Sequence, residues 1–154
     1  MSETVSIKDI AEIRSGYTFR KANSESEAGE LQGLQIGDIR NASVIDPLQL
    51  ARIELQISGR PTLLRPGEIV LAAKGSHNRA AVLEDEHCQV VPSNQFLVLS
   101  LRNNQVVSPA FLCWLLNYES TQKKLAEYRT GTSMFSISKK AFQSIELALP
   151  SRQI

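Results

Sequence analysis

Two short apolar stretches with a polar turn between them dominate the middle of the chain. Residues 68–73 follow the turn-forming sequence Arg65-Pro66-Gly67, and residues 80–83 follow a polar tip at 75–79. Short apolar runs bounded by turn residues are typical of strands, and their spacing predicts a β-hairpin with a polar end. Residues 96–101 are apolar on both faces, as expected of a strand at the centre of a sheet. The fold is therefore expected to contain a sheet built on this hairpin.

Helical patterns lie on both sides of these strands. Residues 6–14 combine capping-box spacing with a stripe of isoleucines, which predicts a short helix. Ser108 precedes a proline and then apolar residues at helical spacing as far as Leu125, which predicts a longer helix. Near the C-terminal end, a short helix is predicted to begin at Ser138, and a strand is predicted over residues 145–149.

The order of these elements indicates the fold class. Residues 20–33 are predicted to form a polar surface loop that leads to a short strand at 34–39. Because strands and helices do not alternate regularly, the chain is predicted to be an α+β protein rather than a doubly wound α/β protein. We expect a single domain with a twisted mixed β-sheet flanked by short helices. A chain of 154 residues can bury such a core without a metal or a disulfide.

Composition excludes several classes of protein. The longest apolar run, residues 111–116, is far shorter than the roughly 20 residues of a membrane helix, and residues 1–4 lack the features of a signal peptide. A cytoplasmic protein without membrane contact is expected, with Cys88 and Cys113 as reduced thiols. The formal net charge of +1 excludes a chain that binds polyanions through its overall field. Any nucleic-acid site must come from local clusters of basic residues.

Enzymatic chemistry finds little support in the residue pattern. The spacing of His77, His87, Cys88 and Cys113 matches no zinc-binding pattern, and no glycine-rich phosphate or dinucleotide motif is present. A hydrolase that pairs Cys113 with a histidine stays an alternative, although a thiol beside Trp114 in an apolar helix is more simply explained as a buried one. The sequence predicts a non-catalytic protein without a metal or a cofactor.

Basic residues and hydroxyl groups gather toward the C-terminal end. From residue 123 to 154, six basic residues stand against two acidic ones. Lys139 and Lys140 fall in the first turn of a predicted helix, where their charge opposes the helix dipole unless an anion binds nearby. The alternative is that both lysines extend into water and the serines are ordinary loop residues. The predicted phosphate-binding residues are Lys74, Arg129, Gly131, Thr132, Ser133, Ser138, Lys139 and Lys140.

The tip of the predicted hairpin is a candidate for reading bases. Asn78 and Arg79 are of the types that make bidentate contacts with adenine and guanine edges, and a stiff hairpin would present them together. The alternative is an exposed polar turn without a partner. The predicted base-reading residues are Ser76, His77, Asn78 and Arg79. A basic and aromatic group after the first helix supplies secondary DNA candidates, namely Arg14, Tyr17, Arg20 and Lys21.

Six stretches, spread over almost the whole chain, carry a resemblance to a known family. They are residues 10–19, 34–41 (LQIGDIRN), 64–76 (LRPGEIVLAAKGS), 93–99 (SNQFLVL), 111–117 (FLCWLLN) and 131–150. In this order and at this spacing, they resemble the target recognition domain of the specificity subunit of type I restriction-modification systems.

The resemblance implies an α+β domain, residues 1–154, that reads one half of a bipartite site on double-stranded DNA. Methylation and cleavage would belong to separate methyltransferase and restriction subunits. The resemblance puts residues 76–79 and 131–133 in DNA-facing loops, whereas residues 93–95 are interpreted as structural. The helical spacer of the family is expected to be absent beyond Ile154, which places docking of the other subunits in doubt. The alternative is a protein interaction domain of the same fold that does not itself bind DNA.

Overall fold

Among the described residues, the strands of the protein form three sheets. A computed structural model describes residues 2–19, 29–54, 62–102 and 107–150. In chain order, its elements are β1 (Ser2–Ser6), α1 (Ile7–Ile10), β2 (Ala11–Ser15), β3 (Leu31–Leu34), a 3-10 helix (Ile36–Ile39), a second 3-10 helix (Pro47–Gln49), β4 (Ala51–Ile53), β5 (Ile69–Ala72), β6 (Ala80–Val82), β7 (Val90–Pro92), β8 (Phe96–Leu101), α2 (Pro109–Asn117), α3 (Glu119–Tyr128), α4 (Lys139–Gln143) and β9 (Glu146–Pro150). The sheets have the orders β1-β9, β2-β8-β5-β6 and β4-β3-β7. The predicted α+β class is confirmed, with the strands divided among several sheets rather than one.

The predicted hairpin lies in the four-stranded sheet. β5 and β6 pair antiparallel, and β8 lies between β2 and β5, which confirms the central position expected for residues 96–101. Side chains alternate across a strand, so β5 contributes to both faces of the sheet. Ile69 and Leu71 enter a core shared with α2, α3, α4 and β9, whereas Val70 and Ala72 enter a second core shared with β3 and β7. Burial on both faces fixes the hairpin that carries the polar tip.

A turn at residues 93–95 separates the central sheet from the β4-β3-β7 sheet. Pro92 ends β7 and has no backbone N–H with which to continue a strand ladder. Ser93 is buried, its N–H donates to the Leu34 carbonyl at 3.0 Å, and its hydroxyl accepts from the Gln95 N–H at 3.3 Å. These bonds support the structural interpretation for Ser93, and the Gln95 amide oxygen accepts from the Ile36 N–H at 3.5 Å, whereas Asn94 is exposed.

The helix predicted over residues 6–14 is wrong for most of its length. Only Ile7–Ile10 is helical, and the chain then continues as β2, which pairs antiparallel with β8. Ala11 and Ile13 are buried while Glu12 is exposed, which is the alternation of a strand. Pairing with a strand far along the chain outweighs the local helical pattern.

The long helix predicted from Ser108 is two helices. The Ser108 hydroxyl accepts from the Phe111 N–H at 3.1 Å, as expected of an N-cap, but α2 ends at Asn117 and α3 begins at Glu119. The Asn117 side chain donates to the Ala80 carbonyl at 2.9 Å and accepts from the Ala80 N–H at 2.8 Å. This attachment to β6 accompanies the break at Tyr118, whose backbone is extended. In the described part of the chain, no helix is long and apolar enough to cross a membrane.

Four further predictions differ in outcome. The strand predicted at 34–39 is wrong beyond Leu34, because the Asp38 carboxylate accepts from the Gln35 N–H at 2.8 Å and closes a 3-10 helix. Of the predicted loop at 20–33, residues 20–28 lie outside the described residues, and residues 31–33 belong to β3. The short helix after Ser138 and the final strand are confirmed as α4 and β9.

Candidate nucleic-acid interface

The two segments predicted to face DNA lie side by side. The tip of the β5–β6 hairpin covers residues 74–79, and the second segment covers residues 130–137. The Gly75 N–H donates to the Phe135 carbonyl at 2.7 Å, and the Ile137 N–H donates to the Ala73 carbonyl at 2.8 Å. Lys74 and Ser136 form an antiparallel bridge between these two hydrogen bonds. The segments are far apart in sequence, yet they form one continuous surface.

The turn within residues 130–136 is closed by its own backbone. The N–H of each of Thr130 and Ser136 donates to the carbonyl of the other, at 2.8 and 3.0 Å. Gly131 has a φ of +103°, and a Cβ built on it would lie 2.2 Å from the Met134 carbonyl oxygen. Only glycine avoids both the unfavourable backbone conformation and this close approach. Thr132 and Ser133 are exposed on the turn, so the phosphate-binding hypothesis for them stays a prediction.

A basic cleft of about 600 Å³ adjoins the tip. Its described lining residues are Ile36, Ile39, Arg40, Ala72, Lys74, Gly75, Ser76, His77, Arg79, Asn117 and Gln122. Three of these side chains, those of Arg40, Lys74 and Arg79, are cationic at neutral pH, and none of the described lining residues is a carboxylate. Such a lining produces a positive potential that attracts anions, although the whole chain carries almost no net charge.

Arg40 is a member of this cleft that the sequence did not single out. It follows the 3-10 helix Ile36–Ile39 and is exposed. It lies in the stretch LQIGDIRN that contributes to the family resemblance, but neither its spacing nor its neighbours indicate proximity to the hairpin tip.

Asn78 has a structural role that differs from the predicted one. It is fully buried, its Nδ2 donates to the Ala72 carbonyl at 2.8 Å, and its Oδ1 accepts from the Arg129 Nε at 2.9 Å. Its own carbonyl accepts from the Gln122 Nε2 at 2.6 Å. Both ends of the amide are occupied by the protein, so in this conformation Asn78 cannot contact a base edge. We correct its assignment from base reading to positioning of the tip.

The remaining tip residues are accessible. Lys74, Ser76 and His77 are exposed, and Arg79 is half-buried. The Nε of Arg79 is buried and finds no hydrogen-bond acceptor among the described residues. Because this Nε is enclosed by the protein, any contact of Arg79 with a ligand would have to come from the donors on its two Nη atoms.

Comparison with known proteins gives the family and the fold of the chain. A sequence model of the family described as the type I restriction modification DNA specificity domain matches residues 1–154. The chain belongs to this family. A comparison with curated protein sequences gives no match. The family resemblance found in the sequence is therefore confirmed. Its description supports the prediction that the chain is a DNA-recognition module.

Solved structures share the fold of this specificity domain. The S subunit of a type I restriction-modification system from M. genitalium has a TM-score of 0.66 at 13% identity, over 99% of this chain and 35% of that one. The HsdS subunit from Thermoanaerobacter tengcongensis has a TM-score of 0.68 at 17% identity, over 97% of this chain and 33% of that one. A chain from a structural study of assembly and conformational transition in the type I R-M system has a TM-score of 0.68 at 18% identity, over 99% of this chain and 35% of that one. The specificity domain thus spans about a third of the length of these chains.

The secondary DNA candidates are not part of the described lining of the cleft. Arg14 forms a bidentate ion pair with Glu68, with Nη1–Oε2 at 2.5 Å and Nη2–Oε1 at 3.0 Å. Burial alone would raise the pKa of Glu68, but the hydrogen bonds from Arg14 and from the Arg65 N–H, with the charges of both arginines, hold that pKa below its ordinary value. Arg14 is therefore committed to the protein, and Tyr17 is half-buried with its N–H bonded to the Pro92 carbonyl at 2.8 Å. Arg20 and Lys21 lie outside the described residues.

The phosphate-binding candidates on α4 have separable roles. The Ser138 hydroxyl accepts from the Ala141 N–H at 3.1 Å and so caps α4, the role predicted for it as an N-cap. Lys139 and Lys140 are exposed, and contact with phosphate stays a prediction for them. Arg129 uses its Nε to hold Asn78, and an arginine has further N–H donors on its two Nη atoms.

The thiol invoked in the hydrolase alternative is poorly suited to nucleophilic chemistry. Cys113 is buried, and burial raises its pKa to about 11 despite the lowering effect of the Arg79 charge. Because the thiolate is the nucleophilic form, such a group is almost entirely unreactive at neutral pH. No group of three or more potential metal ligands occurs among the described residues.

Proposed function

We propose that this specificity domain recognises one half-site of a bipartite double-stranded DNA target, with the duplex bound along the basic cleft and the adjoining turn. The observation that carries the proposal is the cleft lining, in which Arg40, Lys74 and Arg79 gather without a carboxylate among the described residues. Binding of a DNA backbone requires such a local positive potential, because a chain with a net charge of +1 does not attract phosphates through its overall charge.

The cleft residues divide into two proposed roles. Arg79 has the planar geometry for a bidentate contact with guanine, and Ser76 and His77 lie beside it as exposed donors or acceptors for base edges. Lys74 and Arg40 line the same cleft and are proposed to contact phosphates, which would set the register of the duplex.

Further phosphate contacts are proposed along the turn and α4. Gly131, Thr132 and Ser133 offer backbone N–H and hydroxyl donors on a closed turn, and α4 begins with two exposed lysines. α4 starts two residues after Ile137, whose N–H donates to the carbonyl of Ala73, the residue before the tip. A duplex that contacts the tip would therefore pass close to the start of α4.

The domain itself is proposed to be non-catalytic. In this proposal, residues 1–154 act as one recognition domain within a specificity subunit, and that subunit directs methyltransferase and restriction subunits to the site. The chain covers about a third of the solved relatives, so docking of those subunits would depend on the specificity subunit as a whole.

Selection of bound sequences from a random duplex library tests the proposal. A single domain should enrich a short half-site, and its affinity should fall with added salt by about 0.9 logarithmic units of slope for each phosphate neutralised. Lys74→Ala should lower the slope by about one unit and weaken all sequences alike. Lys8→Ala is the matched control, because Lys8 is an exposed lysine on α1, outside the described lining of the cleft.

Two results would count against DNA recognition through this cleft. Binding without enrichment would refute recognition of a specific sequence, and equal behaviour of Lys74→Ala and Lys8→Ala would move the interface elsewhere on the domain. Absence of any affinity for duplex DNA at low salt would favour the alternative of a protein interaction domain of the same fold.

A further inference from the structure

Two exposed apolar side chains stand on the turn beside the basic tip. Met134 is 80% exposed and Phe135 is 38% exposed, although residues of these types usually avoid solvent. They follow the exposed hydroxyls of Thr132 and Ser133 and precede the bridge between Ser136 and Lys74. Neither side chain belongs to the two described core clusters, so packing of the fold does not explain why these residue types are here.

The turn holds this pair in a defined place. The Phe135 carbonyl accepts from the Gly75 N–H at 2.7 Å, and the mutual hydrogen bonds of Thr130 and Ser136 close the turn on the other side. Gly131 permits a close approach of the Met134 carbonyl that any other residue would block. The pair is therefore attached by its backbone to the hairpin tip, while its side chains lie outside the described core.

The surroundings favour a nucleic acid over a protein as the occupant. A stable protein interface buries about 800 Å² on each partner and has an apolar centre depleted of charge. Two apolar side chains next to Lys74, with Lys139 and Lys140 a few residues further along the chain, do not make such a centre. A small apolar projection flanked by cations matches instead the way proteins insert Met or Phe between base steps while basic side chains hold the backbone.

We propose that Met134 and Phe135 form an apolar wedge that enters the duplex and partly unstacks a base step next to the bases contacted by the tip. This inference rests on the proposed function, because it concerns how the same cleft and turn engage DNA. Insertion would kink the duplex by roughly 20–90°, as is usual for such wedges. Met134, the more exposed of the two, would make the deeper contact.

The test uses the intact chain and a duplex that carries the selected half-site, with 2-aminopurine replacing bases at successive positions. Unstacking should raise the fluorescence at one step when the domain binds, and energy transfer between the duplex ends should report a bend. Met134→Ala should abolish the fluorescence change and weaken binding about 10-fold, since it removes much of a methionine side chain from the interface. Leu48→Ala is the matched control, because Leu48 is also an exposed apolar residue, 88% accessible, but lies on the second 3-10 helix.

The outcomes separate the wedge from the function on which it rests. If the library enriches no sequence, the proposed function fails and the wedge fails with it. If a half-site is bound but no position shows unstacking, or if Met134→Ala and Leu48→Ala bind alike, the wedge alone is refuted. Met134 is exposed, so an unchanged thermal melt is expected for Met134→Ala, and Met134→Leu should restore the fluorescence change.

Discussion

Asn78 offers the sharpest test of the difference between a base-reading side chain and one that positions the tip. Its amide donates to the Ala72 carbonyl at 2.8 Å and accepts from the Arg129 Nε at 2.9 Å, inside the fold. Asn78→Ala would leave a buried carbonyl and a cationic donor without their partners. Each unsatisfied group costs about 1–3 kcal/mol, so the free energy of unfolding should fall by about 3 kcal/mol.

Two variants help to locate the origin of this destabilisation. Asn78→Asp keeps an acceptor for Arg129 but replaces the donor to the Ala72 carbonyl with a second carboxylate oxygen, so it should destabilise the protein through repulsion at that carbonyl and through burial of a charge. Ser76→Ala changes an exposed tip residue and should leave stability within about 0.5 kcal/mol of the parent value. Urea unfolding measures all three, with equal slopes expected because the folded core is the same.

The DNA profile supplies the decisive comparison. If Asn78 positions the tip, Asn78→Ala should lower the base preference at every position of the selected half-site, because the whole tip is displaced. Unaltered unfolding together with loss of preference at a single base pair would refute this reasoning. That result would return Asn78 to the base-reading residues.

Three other perturbations have defined outcomes. Gly131→Ala should lower the thermal midpoint, with a cost of about 1–3 kcal/mol for the strained backbone, whereas Gly37→Ala, which has open space around it, should not. Glu68→Gln should destabilise the protein by about 2 kcal/mol at neutral pH, measured by urea unfolding, because it weakens hydrogen bonds to a charged group. Because the folded pKa of Glu68 lies below its ordinary 4.5, its contribution is present above that pH and is lost as pH falls through the folded pKa, so the Gln variant should lose less stability in acid. Changing Lys139 and Lys140 together to Ala should lower the salt slope of DNA binding by about one unit for each phosphate that is no longer neutralised, and stability should not fall.

Each of these expectations can fail in a recognisable way. Equal melting of the two glycine variants would show that the turn at 131 tolerates a side chain. Parallel acid profiles for the parent and Glu68→Gln would mean that other carboxylates govern acid unfolding. An unchanged salt slope for the double lysine variant would leave both lysines as solvated surface residues.

The elements that could be predicted from the sequence are those whose pattern is local. The β5–β6 hairpin, the central strand β8 and the cap at Ser138 each depend on neighbouring residues, and each is confirmed. The prediction of a helix over residues 6–14 was wrong because β2 is stabilised by β8, which lies far along the chain. The break between α2 and α3 at Tyr118 could not be predicted either, because it accompanies hydrogen bonds between Asn117 and the backbone of Ala80, which is distant in sequence.

In the candidate site too, features that depend on neighbouring residues could be predicted, whereas contacts between distant residues could not. The sequence indicated the tip and the 131–133 turn, but not that a strand-like pairing joins them or that Arg40 completes the cleft. Asn78 was misassigned because the amide groups that suit a base edge suit a backbone carbonyl equally well. Only burial decides between these roles, and burial depends on Arg129 and Gln122, which come much later in the chain.

The pairing of the hairpin tip with the 130–137 segment limits how this domain can be re-engineered. Specificity could be exchanged between relatives by grafting a single loop only if that loop were held by its own strands. Here the backbone hydrogen bonds of Gly75 and Ile137 join the two segments. The side chain of Asn78, in the tip, also accepts a hydrogen bond from Arg129, which directly precedes the second segment. A transplanted tip would arrive without the turn to which it is hydrogen-bonded and would lie at a new angle to the rest of the domain. Chimeras should therefore exchange residues 74–79 and 129–137 as one unit, and transplants of only one of the two segments should give inactive hybrids.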